Sequence, residues 1–113
     1  MADADVSGQR FLNRLSMTGD RAFKRLYGEL RQLPSAAQES IVSGLADEND
    51  RFYVFVMQSR LGELGYFKNQ PAGRLDAATI RAANAFCRAR GTAYFCSHGP
   101  MSGQMAEILS RVF

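Results

Sequence analysis

Gly73-Arg74-Leu75-Asp76 followed by Ala77-Ala78-Thr79-Ile80 recurs 26 residues later as Gly99-Pro100-Met101-Ser102 followed by Gly103-Gln104-Met105-Ala106. In each copy a glycine permits a tight turn, an apolar residue (Leu75, Met101) is placed to plug the core, and a short polar residue (Asp76, Ser102) stands where a helix N-cap belongs. Ile80, Ala82, Ala83 and Phe86 fall on one face of the first helix; Ala106, Ile108, Leu109 and Val112 fall on one face of the second. The spacing predicts helices over 77–90, closed by Gly91, and over 103 to about 112.

Working outward, Tyr53, Val56, Met57, Leu61 and Leu64 give the segment before the first copy a helical period that stops at Gly65. The polar run Ala46-Asp47-Glu48-Asn49-Asp50 separates it from a helix carrying Ala37, Ile41, Val42 and Leu45. Ser35-Ala36-Ala37-Gln38 has the form of a capping box for that helix, after Pro34 ends the one before. From Gln9 to Leu33 the apolar residues Phe11, Leu12, Leu15, Phe23, Leu26, Tyr27, Leu30 and Leu33 again recur at helical spacing. Thr18-Gly19-Asp20 interrupts them, so a short helix and then a longer one, with Asp20 as its cap, are expected. Residues 1–8 read as a disordered leader. Thr92 to Cys96 leans towards β structure but has no partner strand.

The predicted architecture is therefore all-α: a helical bundle with a two- or three-helix extension over residues 9–50 packed on a three-helix module over 51–113. Its 113 residues and 46% apolar content suit one compact domain. The longest apolar run, Phe52 to Met57, falls far short of the roughly 20 residues of a membrane span. The acidic start lacks the apolar region of a signal peptide, so the chain as written is expected in the cytoplasm, or as a piece of a longer protein exported by a signal elsewhere. Charge is uneven. Residues 1–50 carry six basic and eight acidic side chains, and residues 51–113 carry eight basic and three acidic, a net of +5. Twelve of the fourteen basic residues are Arg, whose planar fork suits carboxylates and phosphates. An anionic partner fits that basic half, as does a plain solvated face. The acidic first half and the absence of a helix-turn-helix signature argue against nucleic acid.

Val56-Met57-Gln58-Ser59-Arg60-Leu61-Gly62-Glu63-Leu64-Gly65-Tyr66-Phe67 is similar to the opening helix of peptidoglycan-binding-like domains, an apolar-Gln-x-x-Leu-x-x-Leu-Gly-Tyr-aromatic run. Gly73 to Thr79, with Ala82 and Phe86, resembles the family's second block, and Gly99 to Leu109 its third, so the likeness covers about residues 52–113. The chain departs from the family pattern at Ala72, Asp76-Ala77, Cys87 and Met105. The resemblance implies a three-helix module of the cell envelope or periplasm that binds peptidoglycan without catalysis. It also implies that the module belongs to a larger envelope protein or wall hydrolase. An interaction scaffold that has lost wall binding is the alternative, with residues 9–45 docking a catalytic domain or a protein subunit.

Candidate ligand-binding residues follow from the helix face. With Ala82, Ala83, Phe86 and Cys87 turned to the core, Arg81, Asn84 and Arg88 face outward, and Arg74 joins their rim. Arg forks and an Asn amide suit the carboxylates and amides of peptidoglycan, and Tyr66 and Phe67 offer apolar faces for its sugars. Alternatively one of the two aromatics plugs the core and the arginines are only solvated. Catalysis is not expected: His98 is the single histidine, and no zinc-helix, phosphate-loop or nucleophile-elbow motif is present. Cys96 and His98 flank Ser97, but nothing marks an orienting partner or oxyanion hole. Cys87, Cys96 and His98 match no common zinc spacing, so no metal or cofactor is assigned. Cys87 and Cys96 are candidates for a disulfide, with Cys87 as a small buried hydrophobe the other reading.

Overall fold

A helix whose apolar residues spread over most of its circumference belongs at the centre of a helical protein. In the computed structural model, which describes residues 10–14, 22–94 and 96–113, that helix is Asp50–Glu63, with Phe52, Tyr53, Val54, Val56, Met57, Gln58 and Leu61 all buried. Around it stand four further helices: α1 (Phe23–Gln32), α2 (Ser35–Glu48), α4 (Ala77–Ala89) and α5 (Gly103–Ser110), with the central one as α3. Residues 10–14 are also helical. Among the described residues there is no strand, and Ala93, Tyr94 and Cys96 lie in turns. The fold is an all-α helical bundle. The Asp20 cap and the leader over 1–8 lie outside the described residues.

The core does not divide between residues 9–50 and 51–113. One cluster of buried side chains takes Phe11, Phe23, Leu26, Leu30, Ile41, Val42 and Leu45 from the first stretch and Phe52, Met57, Leu61, Phe86, Met105 and Leu109 from the second. Phe23 stands 5.1 Å from Phe52 and 5.7 Å from Phe55 between ring centroids, within the range of favourable tilted packing. α2 lies against both α3 and α5. Burying one such aromatic or aliphatic side chain contributes about 1.5–3 kcal/mol, so residues 23–45 are a substantial share of the core. Their apolar faces are turned inward.

Several local expectations are corrected. Ser35 and Gln38 form no capping box: Pro34 precedes the helix without a side-chain cap. Gln38 turns back, donating to the carbonyls of Leu33 (2.7 Å) and Arg31 (3.1 Å) and accepting from the Arg31 guanidinium. These bonds satisfy the open end of α1, which outweighs the reciprocal cap. The polar run 46–50 separates the two helices by a single residue. α2 continues through Glu48, and Asn49 alone breaks the helix while its side chain accepts from Phe52 N at 3.0 Å to start α3. Leu64 lies past the last residue of α3, where it is exposed.

The repeated unit is present in both copies. Asp76 accepts from Thr79 N at 2.8 Å and Ser102 from Met105 N at 3.1 Å, each as the N-cap of its helix. Gly73 and Gly99 hold φ of +73° and +98°, a region that L side chains rarely adopt. Ile80 and Leu75 do not point to the core, however; they are 39% and 40% exposed. The buried face of α4 is Thr79, Ala82, Ala83, Phe86 and Cys87. Thr79 takes the core position because its hydroxyl is paired there, and Ile80, a further 100° round the helix, is turned out.

Candidate functional site

Gln58 is a polar residue on the buried side of α3, and it is only 1% exposed. Its amide has four hydrogen-bonding positions, and all four are used. Oε1 accepts from Ala72 N (2.8 Å) and Gly73 N (3.0 Å); Nε2 donates to Arg74 O (3.0 Å) and to Thr79 Oγ1 (2.8 Å). Thr79 Oγ1 in turn donates to Asp76 Oδ1 at 2.6 Å. One side chain therefore fixes the backbone of the first turn and the start of α4. These bonds also hold Asp76 below the usual carboxylate range, chiefly through the Thr79 hydroxyl and then its amide, with the nearby Arg81 charge adding to the effect. Gly73 completes the clamp. A Cβ there would stand 3.1 Å from Arg51 O and 3.3 Å from the Phe23 ring. The second turn hangs from the same helix, where Tyr53 donates its hydroxyl to Pro100 O at 2.8 Å. Burial raises the Tyr53 hydroxyl well above the ordinary phenol range, and burial together with a hydrogen bond to Glu63 does the same for Tyr27.

At the far end of α4, Cys87 and Cys96 are joined in a disulfide with Cα atoms 6.3 Å apart. Met105 packs its thioether 3.5 and 3.7 Å from the two sulfurs. With both sulfurs in the bridge, neither is a nucleophile or a zinc ligand. Closing so short a loop stabilises the fold by about 2–3 kcal/mol in the chain-entropy picture. The group beside it is Arg88, on the solvent side of α4.

Between α4 and the loop that follows α3 lies a shallow groove of about 450 Å³. Gly65, at φ +93°, turns the chain out of α3, and Tyr66 N and Phe67 N both donate to Leu61 O (2.8 and 3.2 Å), so the wall leaves the helix on fixed bonds. Ala78, Ala82 and Ala85 make a low floor, and Lys68, Arg81 and Arg88 reach the opening. Among the described residues, no acidic side chain lines this groove. Among the described residues, no ion pair engages these three cations, although Arg81 also feels Asp76 at the start of its helix.

The groove gathers Tyr66, Phe67, Arg81 and Arg88 from the six ligand-binding candidates. Phe67 is 5% exposed, so it serves the core and presents almost no surface. Tyr66 is half-buried, with its ring edge-to-face on Phe86 at 5.8 Å between centroids. Arg74 lines a separate depression with Asp50, Arg51 and Leu75, and Asn84 is exposed outside the groove. Lys68 and Asn69 complete the wall and were not foreseen, because their approach to α4 is set by the Gly65 turn and not by local spacing. Gln58 had a visible signal: an amide between Met57 and Leu61 on a core face must find partners there.

Among the described residues, no group of three or more His, Cys, Asp and Glu side chains could hold a metal ion, and no helix is long and apolar enough to cross a membrane. No protein-family model matches the chain, and neither a curated protein nor a solved structure matches it.

Proposed function

We propose that this domain is a non-catalytic binding module for the peptidoglycan of the cell wall, in an envelope or periplasmic setting, with the groove between α4 and residues 66–69 as its contact surface. The observation that carries the reading is the convergence of Lys68, Arg81 and Arg88 on one groove without an acidic lining residue among those described. Three neighbouring cations on a groove whose described lining holds no carboxylate favour an anionic ligand, and peptidoglycan presents carboxylates along its peptide stems. The resemblance of residues 52–113 to peptidoglycan-binding-like domains supplies the choice of polymer. The disulfide is in keeping with an oxidising compartment.

The test is co-sedimentation of the full chain with purified insoluble sacculi at two salt concentrations. Retention that falls with salt and is lost in the Arg81→Ala, Arg88→Ala double variant is the expected result. Both side chains are exposed, so the variant should melt like the parent. A parent protein that stays in the supernatant at low salt would overturn the proposal.

A further inference from the structure

We infer that the groove reads the carboxylates of a peptide stem and not the sugars of the glycan, an inference that rests on the wall-binding reading above. Recognition of a sugar ring needs an open aromatic face and amide or hydroxyl partners. The aromatic face is not offered here: Phe67 is buried in the core and the half-buried Tyr66 ring is packed edge-to-face against Phe86, while Asn84 lies outside the groove and leaves the Asn69 amide in the wall without an open ring to work beside. What the groove does offer is charge on a shallow floor of alanines. Small side chains there let an extended backbone lie close to α4 without displacing anything.

The cations also set a length. Arg81 and Arg88 are seven residues apart on one helix, hence two turns, or about 10 Å along the axis at 1.5 Å per residue. An extended peptide covers about 10 Å in three residues. Two carboxylates at that separation would each meet one guanidinium, while Lys68 on the opposite wall supplies a third positive charge between the walls. The disulfide and the Met105 contact hold the α4 end that carries Arg88, and the Gln58–Thr79–Asp76 bonds hold the end nearer Arg81, so the separation is set before a ligand arrives.

The experiment uses the full chain, intact sacculi and three soluble competitors: a free stem peptide, the same peptide with its carboxyls amidated, and glycan strands stripped of peptide. The free stem peptide should release the protein from sacculi, and the amidated form should be at least about tenfold weaker. Stripped glycan should not compete. Arg88→Ala should weaken the stem peptide more than Arg74→Ala, which alters a cation outside the groove. Equal competition by the amidated and free peptides, or competition by stripped glycan, would overturn the inference and leave wall binding standing. Failure to bind sacculi at all would overturn both.

Discussion

Replacing Gln58 with Leu keeps an apolar-compatible volume and removes four hydrogen bonds at once. The partners do not lose equally. The Gly73 N–H is buried, so on losing Gln58 it bears the full desolvation penalty of about 1–3 kcal/mol. Ala72 N and Arg74 O are only partly buried and recover some hydration, while Thr79 Oγ1 keeps its bond to Asp76. The sum is about 2–5 kcal/mol, a large fraction of the roughly 5–15 kcal/mol that holds a domain of this size. Guanidinium titration followed by far-UV circular dichroism should show the midpoint falling with the slope unchanged. Gln58→Glu separates the clamp from simple packing. An introduced carboxyl keeps the acceptor for Ala72 and Gly73 but sets an oxygen in place of the Nε2 donor. Burial raises its folded pKa above the unfolded value of about 4.3, so its stability is full below that pH and is lost as pH rises. The gap between this variant and the parent should widen as the pH is raised from about 4.5 to about 8. A Gln58→Leu loss under about 1 kcal/mol, less than one stranded donor, would refute the reasoning.

Gly73→Ala should destabilise well beyond the roughly 1–2 kcal/mol of a left-handed backbone, because its Cβ also meets Arg51 O and the Phe23 ring. Gly65→Ala, at φ +93° with nothing within 4 Å, should cost only the backbone part, and chemical denaturation of the pair checks the difference. Tyr27 and Tyr53 are held protonated far above the ordinary phenol range, so their contribution is full below about pH 10 and is lost as pH rises through their folded values. Tyrosinate absorbance should therefore develop together with loss of helicity for these two side chains, and Tyr53→Phe should reduce the amplitude of that coupled step.

What the sequence made legible was local. Asp76 and Ser102 as caps, Gly73 and Gly99 as turns, and the period of α1 and α4 all depend on residues within a few positions of one another, so reading along the chain finds them. Leu75 and Ile80 were misplaced for a non-local reason. Gln58, from a different helix, holds the first turn by its backbone and gives Thr79 the inward position, so apolar character no longer decides which neighbour faces the core. The same holds for Gln38, whose nearest open carbonyls belong to the preceding helix. In the candidate site, Arg81 and Arg88 were readable from helical spacing. Lys68 was not, because the Gly65 turn that brings it opposite them closes across sequence. Adjacency of Tyr66 and Phe67 leaves open which ring goes inward; the structure buries Phe67 and leaves Tyr66 half-buried.

Tyr53 and Gln58 sit five residues apart on α3, and each tethers a different turn. A single residue inserted between them would swing one tether about 100° away from its target while the other stayed in place. The spacing of those two side chains thus acts as a key cut into one rod: the two arms of the molecule agree about where they belong only while that rod keeps its count.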